Sequence, residues 1–142
     1  CMMYLAFVHE ATGLGWWIHH PGYVGHGGYF KKMKEEIMNC VSQARHLAPM
    51  LLAPDAPVKV AVEPNDLGLH LRAKEYDGRT YIIAVNPHEE LPVSCRFALP
   101  EGKSFKKVDV LFEDRSFRPG KKTGSFGDLF APRAVHVYRI EK

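Results

Sequence analysis

Residues 69–86 read LHLRAKEYDGRTYIIAVN, and this stretch decides the fold class of the C-terminal part of the chain. Apolar and polar residues alternate over residues 69–74, as in a strand with one buried face. Asp77-Gly78 is a strong signal for a two-residue hairpin turn. Residues 80–86, TYIIAVN, are then the return strand, so the stretch predicts an antiparallel β-hairpin.

Further short strand patterns lie on both sides of this hairpin and are bounded by turn residues. They cover residues 58–62, 92–99, 108–112 and 134–140. Several short strands separated by turn signals are typical of an antiparallel sandwich. We therefore predict an all-β sandwich domain over residues 58–142.

The first third of the chain follows a different pattern. Residues 2–12 are mostly apolar helix formers and stop at Gly13, which predicts a helix. Residues 14–19, LGWWIH, predict a buried strand, and the glycine-rich residues 20–29 predict a loop. Residues 30–52 carry apolar side chains at helical spacing and predict a long amphipathic helix.

This helix–strand–helix piece, residues 1–53, cannot form a sheet by itself. A lone strand leaves backbone donors and acceptors unpaired along both edges. Either the strand joins the β domain, or the piece belongs to a larger sheet or barrel outside this chain. The chain begins at Cys1 rather than Met, which an interior starting point would explain.

The order of these elements resembles the end of a (β/α)8-barrel glycoside hydrolase. The similarity lies in a helix ending in ATG at residues 11–13, an aromatic strand, a glycine-rich loop and a long helix ending in LAP at residues 47–49. The tail resembles the β-sandwich that follows the barrel in many such enzymes. YIIAVN at residues 81–86, FGDLF at residues 126–130 and AVHVY at residues 134–138 carry that similarity.

The resemblance implies a mixed α+β chain. Residues 1–53 are expected to be the last β/α portion of a TIM barrel, and residues 58–142 the sandwich that follows it. Residues 14–19 become the eighth strand of the barrel, and residues 30–52 become its eighth helix. The missing barrel portion of the parent protein is then a partner of this chain.

Barrel active sites lie at the C-terminal ends of the strands, where the resemblance places the end of the aromatic segment. Aromatic faces suit the apolar faces of sugar rings. We therefore expect a carbohydrate to be bound by Trp16, Trp17, His19, His20 and Tyr23. In the alternative interpretation, both tryptophans are packing residues.

Glycoside hydrolysis usually needs two carboxylates that flank the scissile bond. The resemblance places them on earlier barrel strands, which this chain does not contain. Glu10 precedes the predicted eighth strand, and we expect it to make a polar contact at a helix end. Other acidic residues, Glu113 among them, are expected to be solvated. We predict no catalytic residue here and expect the chain to be inactive by itself.

Metal and cofactor chemistry find little support in the sequence. His19 and His20 are adjacent on a predicted strand and should point to opposite faces, so no metal site is predicted. Residues 120–124, GKKTG, lack the spacing of a phosphate-binding loop. No cofactor is expected.

Composition excludes several classes of protein. The chain has 142 residues, 46% hydrophobic and 25% charged, as expected of a folded domain rather than a disordered one. Its net charge of +3 is mild and its basic residues are dispersed, so nucleic acid is not an expected partner. No apolar run is long enough for a membrane span. The three cysteines contain no C-x-x-C pair; Cys40 and Cys95 are expected to be two buried thiols, with a disulfide left open.

Two alternatives to the barrel interpretation keep the sandwich. The first is a carbohydrate-binding module, for which Tyr76, Tyr81, Phe117 and Phe126 supply candidate aromatic side chains. The second is a structural or interaction domain unrelated to sugars. The sequence does not indicate a cellular compartment.

Overall fold

The computed structural model describes residues 1–15, 27–57, 59–100, 104–119 and 124–141, with side chains from residue 31 onward in the second range. Within these residues the chain forms two helices and two antiparallel sheets. The expectation of a mixed α+β chain is confirmed, and the described part is mostly β.

The first helix, α1, spans Met2–Val8, and the second, α2, spans Gly27–Leu51. The prediction that α1 extends to residue 12 is wrong. The chain turns at His9, and Glu10 takes a left-handed φ of 72° that no helix continues. The long helix is confirmed, with Pro49 inside its last turn, where the missing N–H of Pro49 removes the hydrogen bond to the carbonyl oxygen of Arg45.

Eight strands occur in the described residues. They are β1 Ala61–Glu63, β2 His70–Tyr76, β3 Arg79–Val85, β4 Val93–Ala98, β5 Lys107–Leu111, β6 Arg115–Phe117, β7 Ser125–Phe130 and β8 Val135–Glu141. One sheet has the order β1-β4-β7 and the other β2-β3-β8-β5-β6. The six strands predicted for residues 58–142 are present with shifted ends, whereas β6 and β7 were not predicted. Most of the strand predicted at residues 14–19 lies outside the described residues.

The hairpin of β2 and β3 forms with the expected turn. Asp77 has φ 51° and Gly78 has φ 68°, the two consecutive left-handed conformations of a type I′ turn. Pairing runs from Tyr76 opposite Arg79 to His70 opposite Val85. The antiparallel ladder therefore spans the whole of both strands.

An aromatic core lies between the two sheets. Ile82 and Ala84 of β3 face this core and are fully buried. The Phe97 and Phe126 rings are stacked with centroids 5.0 Å apart, and the Tyr138 ring lies 5.2 Å from Phe97. Large interdigitated aromatic side chains of this kind contribute much of the free energy of a sandwich core.

A second core lies on the opposite face of the five-stranded sheet, where the helices cover it. Tyr81, Ile83 and Val85 alternate with the residues that face the first core. They share this core with Met3, Tyr4, Phe7, Val8, Leu47, Met50 and Val137. Because β3 is buried on both faces, its sequence is a continuous apolar run rather than an alternating one.

Candidate functional site

The residues expected to bind a carbohydrate, Trp16, Trp17, His19, His20 and Tyr23, lie outside the described residues. The structure describes the chain on both sides of them in sequence. On one side is the segment that follows α1 and reaches residue 15, and on the other is α2. The surface between the end of α1 and the C-terminal half of α2 is described, and it includes Leu14, the first residue of the predicted strand.

An apolar groove lies between the end of α1 and one side of α2. Its volume is about 260 Å³. The lining includes Phe7, Ala11, Leu14, Val41, Ala44 and Leu51. Leu14 and Leu52 at the groove are 37% and 70% exposed, so the apolar surface is open to solvent. Open apolar surface of this kind marks a place where a ligand or another protein element packs.

A cluster of polar side chains links the two sheets. We call Glu113, Arg115, Asp128, His136 and Tyr138 the cross-sheet cluster. Arg115 Nη1 donates to Asp128 Oδ1 at 2.7 Å and Arg115 Nε donates to Glu113 Oε2 at 2.6 Å. Tyr138 Oη donates to Asp128 Oδ2 at 2.6 Å, and His136 Nδ1 lies 2.5 Å from Glu113 Oε1. Glu113 is thus bound within the cluster, and the expectation that it is a solvated charge is wrong.

Asp128 is the member of this cluster that joins the sheets. It lies on β7 in the three-stranded sheet, whereas Arg115 and Tyr138 lie on β6 and β8 in the five-stranded sheet. Its side chain is 6% exposed. Burial alone would raise the pKa of Asp128, but hydrogen bonds from Arg115 and Tyr138 outweigh burial and hold this pKa below its usual value. The general acid of a glycosidase needs a raised carboxyl pKa, so Asp128 is suited to joining sheets rather than to donating protons.

A second polar cluster fixes the end of α1 to the sandwich. We call His9, Glu10, Asp55, His70 and Arg72 the helix–strand cluster. Arg72 donates to Glu10 at 2.9 Å and, through Nε and Nη2, to the two oxygens of Asp55 at 2.7 Å each. The hydrogen bond from Arg72 lowers the pKa of Asp55 to about 2. The expectation of a polar contact at a helix end for Glu10 is confirmed.

Asn86 is a structurally important residue to which the sequence analysis assigned no role. It is fully buried at the end of β3. Its Nδ2 donates to the carbonyl oxygens of Leu91 at 2.8 Å and Ala131 at 2.9 Å, and its Oδ1 accepts from the backbone N–H of His88 at 3.1 Å. The sequence signal that could have indicated this role is an asparagine placed directly after an apolar strand.

The aromatic residues considered for a carbohydrate-binding module do not share one exposed surface. Tyr81 is 9% exposed in the helix-covered core, and Phe126 is 5% exposed in the core between the sheets. Phe117 stacks on Phe126 with ring centroids 5.5 Å apart. Tyr76 is 41% exposed, at the end of β2 beside the hairpin turn. These positions give no specific support to a sugar-binding face on the sandwich.

The three cysteines are free thiols. Cys95 is buried, as expected, and burial raises its pKa to about 11, with the Asp128 charge adding to the effect. Cys40, which was also expected to be buried, is only half-buried, and Cys1 is exposed. Among the described residues, no group of three or more His, Cys, Asp or Glu side chains has a metal-binding arrangement.

The chain matches no protein-family model, and no curated protein is significantly similar to it. In the described part of the chain, neither helix has the length and apolar character that a membrane crossing requires. The function proposed below therefore rests on the residues and geometry of this chain.

Proposed function

We propose that this chain is the C-terminal part of a glycoside hydrolase-like protein. Residues 1–53 complete a (β/α)8 barrel and contribute one wall of a carbohydrate site, with Trp16 and Trp17 as its aromatic surface and His19, His20 and Tyr23 as neighbours. The sandwich supports this portion. The catalytic carboxylates come from the barrel portion that lies outside this chain.

The observation that carries the proposal is the apolar groove between α1 and α2. Phe7 and Leu47 of these helices are already buried against the five-stranded sheet. Val41 and Ala44 nevertheless remain half-buried along the groove, and Leu52 is 70% exposed. Helices with apolar surface on more than one side have more than one packing partner. In the proposal, the second partner is the barrel.

The attachment of α1 to the sandwich supports the role assigned to the β domain. Arg72 of β2 binds both Glu10, just after α1, and Asp55, in the linker after α2. Lys74 Nζ donates to the carbonyl oxygen of Ala53 at 2.8 Å. The ends of both helices are therefore held by the same edge strand, as a supporting domain requires.

The reading frame that precedes the Cys1 codon in the gene gives the first test. The proposal expects it to encode about seven further β/α units, the remainder of a barrel. An initiation codon directly before the Cys1 codon would contradict the proposal, because the helices would then have no barrel to join.

An activity assay gives the second test. The chain expressed alone and incubated with a panel of aryl glycosides is expected to release no aglycone. Turnover that disappears in Glu10→Gln or in Asp128→Asn, with circular dichroism unchanged, would show catalytic carboxylates within this chain and would contradict the proposal. Asp114→Asn, a change at an exposed turn residue, is the matched control.

A further inference from the structure

We propose that His9 and His70 form a binding site for a divalent transition-metal ion of the zinc and copper class. Nε2 of His9 and Nδ1 of His70 face each other at 2.7 Å, although the residues are 61 positions apart in sequence. The ring centroids are 4.9 Å apart and the ring planes make an angle of 69°. Zinc, copper and nickel favour imidazole ligands. This site is independent of the proposed role in carbohydrate binding.

The distance between the two nitrogens fits a shared ion after a small movement. Zinc–imidazole bonds are about 2.0–2.1 Å, so two nitrogens on one tetrahedral ion lie roughly 3.3 Å apart. In the metal-free pair, one ring nitrogen donates a proton to the other. The ion takes the place of that proton: the donor histidine changes tautomer and carries its one proton on the other ring nitrogen, so both imidazoles bind the ion in their neutral form.

Both histidines are held by backbone structure. The N–H of His9 donates to the carbonyl oxygen of Leu5 at 3.0 Å and closes the last turn of α1. His70 begins β2 and pairs with Val85 of β3. His9 is exposed, so an ion reaches the pair directly from solvent. Two ligands fixed on separate elements of a folded structure lose little conformational freedom when they bind an ion.

The charges around the pair balance. Arg72 and Lys74 lie on β2 beyond His70, and both bind Asp55, with Lys74 Nζ 3.1 Å from Oδ1 of that carboxylate. Arg72 also binds Glu10 at 2.9 Å. The two cations are thus offset by two carboxylates and do not repel a dication. The Glu10 carboxylate stays paired with Arg72, so water molecules complete the coordination of the ion.

The site has a consequence for the attachment of α1. One histidine follows the helix and the other belongs to the sandwich, so the pair meets in the folded state. An ion that binds this state alone stabilises it by mass action. Metal binding is therefore expected to strengthen the contact between α1 and β2.

Calorimetric titration of the intact chain with Zn²⁺ at pH 7.5 tests the site. We expect the unaltered chain to bind one equivalent of Zn²⁺. The affinity for Zn²⁺ should fall by about tenfold or more in His9→Ala, and equally in His70→Ala. His46→Ala, at an exposed histidine of α2, is the matched control and should bind one equivalent of Zn²⁺ with unchanged affinity. Titration curves of His9→Ala and His70→Ala that coincide with the unaltered chain would overturn the proposal.

Nuclear magnetic resonance of the unaltered chain tests the same site without a substitution. Substoichiometric Ni²⁺ is expected to broaden the imidazole C–H signals of His9 and His70 together, ahead of the His46 signal. Broadening of other histidines with the His9 and His70 signals left sharp would place the ion elsewhere and would overturn the proposal, even if a variant failed to fold.

Discussion

At the scale of single residues, Asn86 shows how one buried side chain can organise two loops. Its amide binds the β3–β4 connection at His88 and Leu91, and the β7–β8 connection at Ala131. Both connections pass from one sheet to the other. A buried amide with this set of partners fixes the positions of both crossings.

We predict that Asn86→Ala lowers the free energy of unfolding by about 2–3 kcal/mol, because it leaves buried backbone groups without partners. Urea denaturation followed by fluorescence measures the change. Asn39→Ala, at an exposed position of α2, is the control and should leave the unfolding midpoint nearly unchanged. Equal midpoints for Asn86→Ala and the unaltered chain would mean that the loops are held by other contacts.

A second prediction at the residue scale concerns Asp128. Asp128→Ala should cost about 2 kcal/mol at pH 7, since the buried Tyr138 hydroxyl loses its acceptor and Arg115 loses one of its two carboxylate partners. Its folded-state pKa is below the unfolded value. The stabilising contribution is therefore present above about pH 4 and is lost as pH falls through the folded-state pKa.

The stability difference between the unaltered chain and Asp128→Ala should accordingly shrink as pH is lowered from 5 towards 2. Denaturant unfolding at each pH measures it, with Asp114→Ala as the control from an exposed turn. A difference that stays constant over this range would show that the Asp128 charge does not contribute.

At the scale of elements, the sequence predicts those whose signals are local. The β2–β3 hairpin follows from Asp77-Gly78 and from the run that continues to Val85, since turn type and apolar pattern are properties of neighbouring residues. In contrast, β7 contains Gly127 and Asp128, which are both unfavourable in strands. It pairs along its whole length with β4 and buries Phe126 and Phe130 in the core between the sheets, and such contacts with distant residues are not visible in the sequence.

The end of α1 is a second element that depends on distant contacts. Residues 9–12 read HEAT, which does not rule out a continued helix, yet the helix stops at Val8. Arg72 lies 62 residues from Glu10, and it binds both the Glu10 side chain and, through Nη1 at 3.5 Å, the carbonyl oxygen of Val8. The apolar groove is equally hard to predict from the sequence, because it is formed by residues far apart in the chain. The residues predicted to bind a sugar lie outside the described residues.

The contact of α1 with the sheet gives a prediction at this scale. Phe7→Ala should lower the free energy of unfolding by about 3–4 kcal/mol, because it removes a large side chain that is 9% exposed in the helix-covered core. Met2→Ala on the same helix is the control, since Met2 is 85% exposed. Thermal unfolding by circular dichroism measures both variants, and similar melting temperatures for the two would contradict this packing.

At the scale of the whole molecule, the five-stranded sheet is buried on both faces and links the helices to the three-stranded sheet. Tyr81, Ile83 and Val85 lose their cover if the helices are removed. We predict that residues 59–142 expressed alone associate through this apolar face and bind the dye ANS strongly. A monomeric fragment by size-exclusion chromatography, with weak ANS fluorescence and a sharp unfolding transition, would contradict this prediction.

The proposed carbohydrate role is tested most directly by steady-state kinetics on the full-length product of the gene that encodes this chain. The measurement compares kcat/KM for glycoside hydrolysis in the unaltered protein, in Trp17→Ala and in Tyr76→Ala, the last an exposed aromatic residue on the sandwich. The account predicts that Trp17→Ala lowers kcat/KM by about tenfold or more, while Tyr76→Ala leaves it unchanged and both variants keep their circular dichroism. Unchanged kinetics in a folded Trp17→Ala variant would make Trp17 a packing residue and contradict the proposed sugar wall.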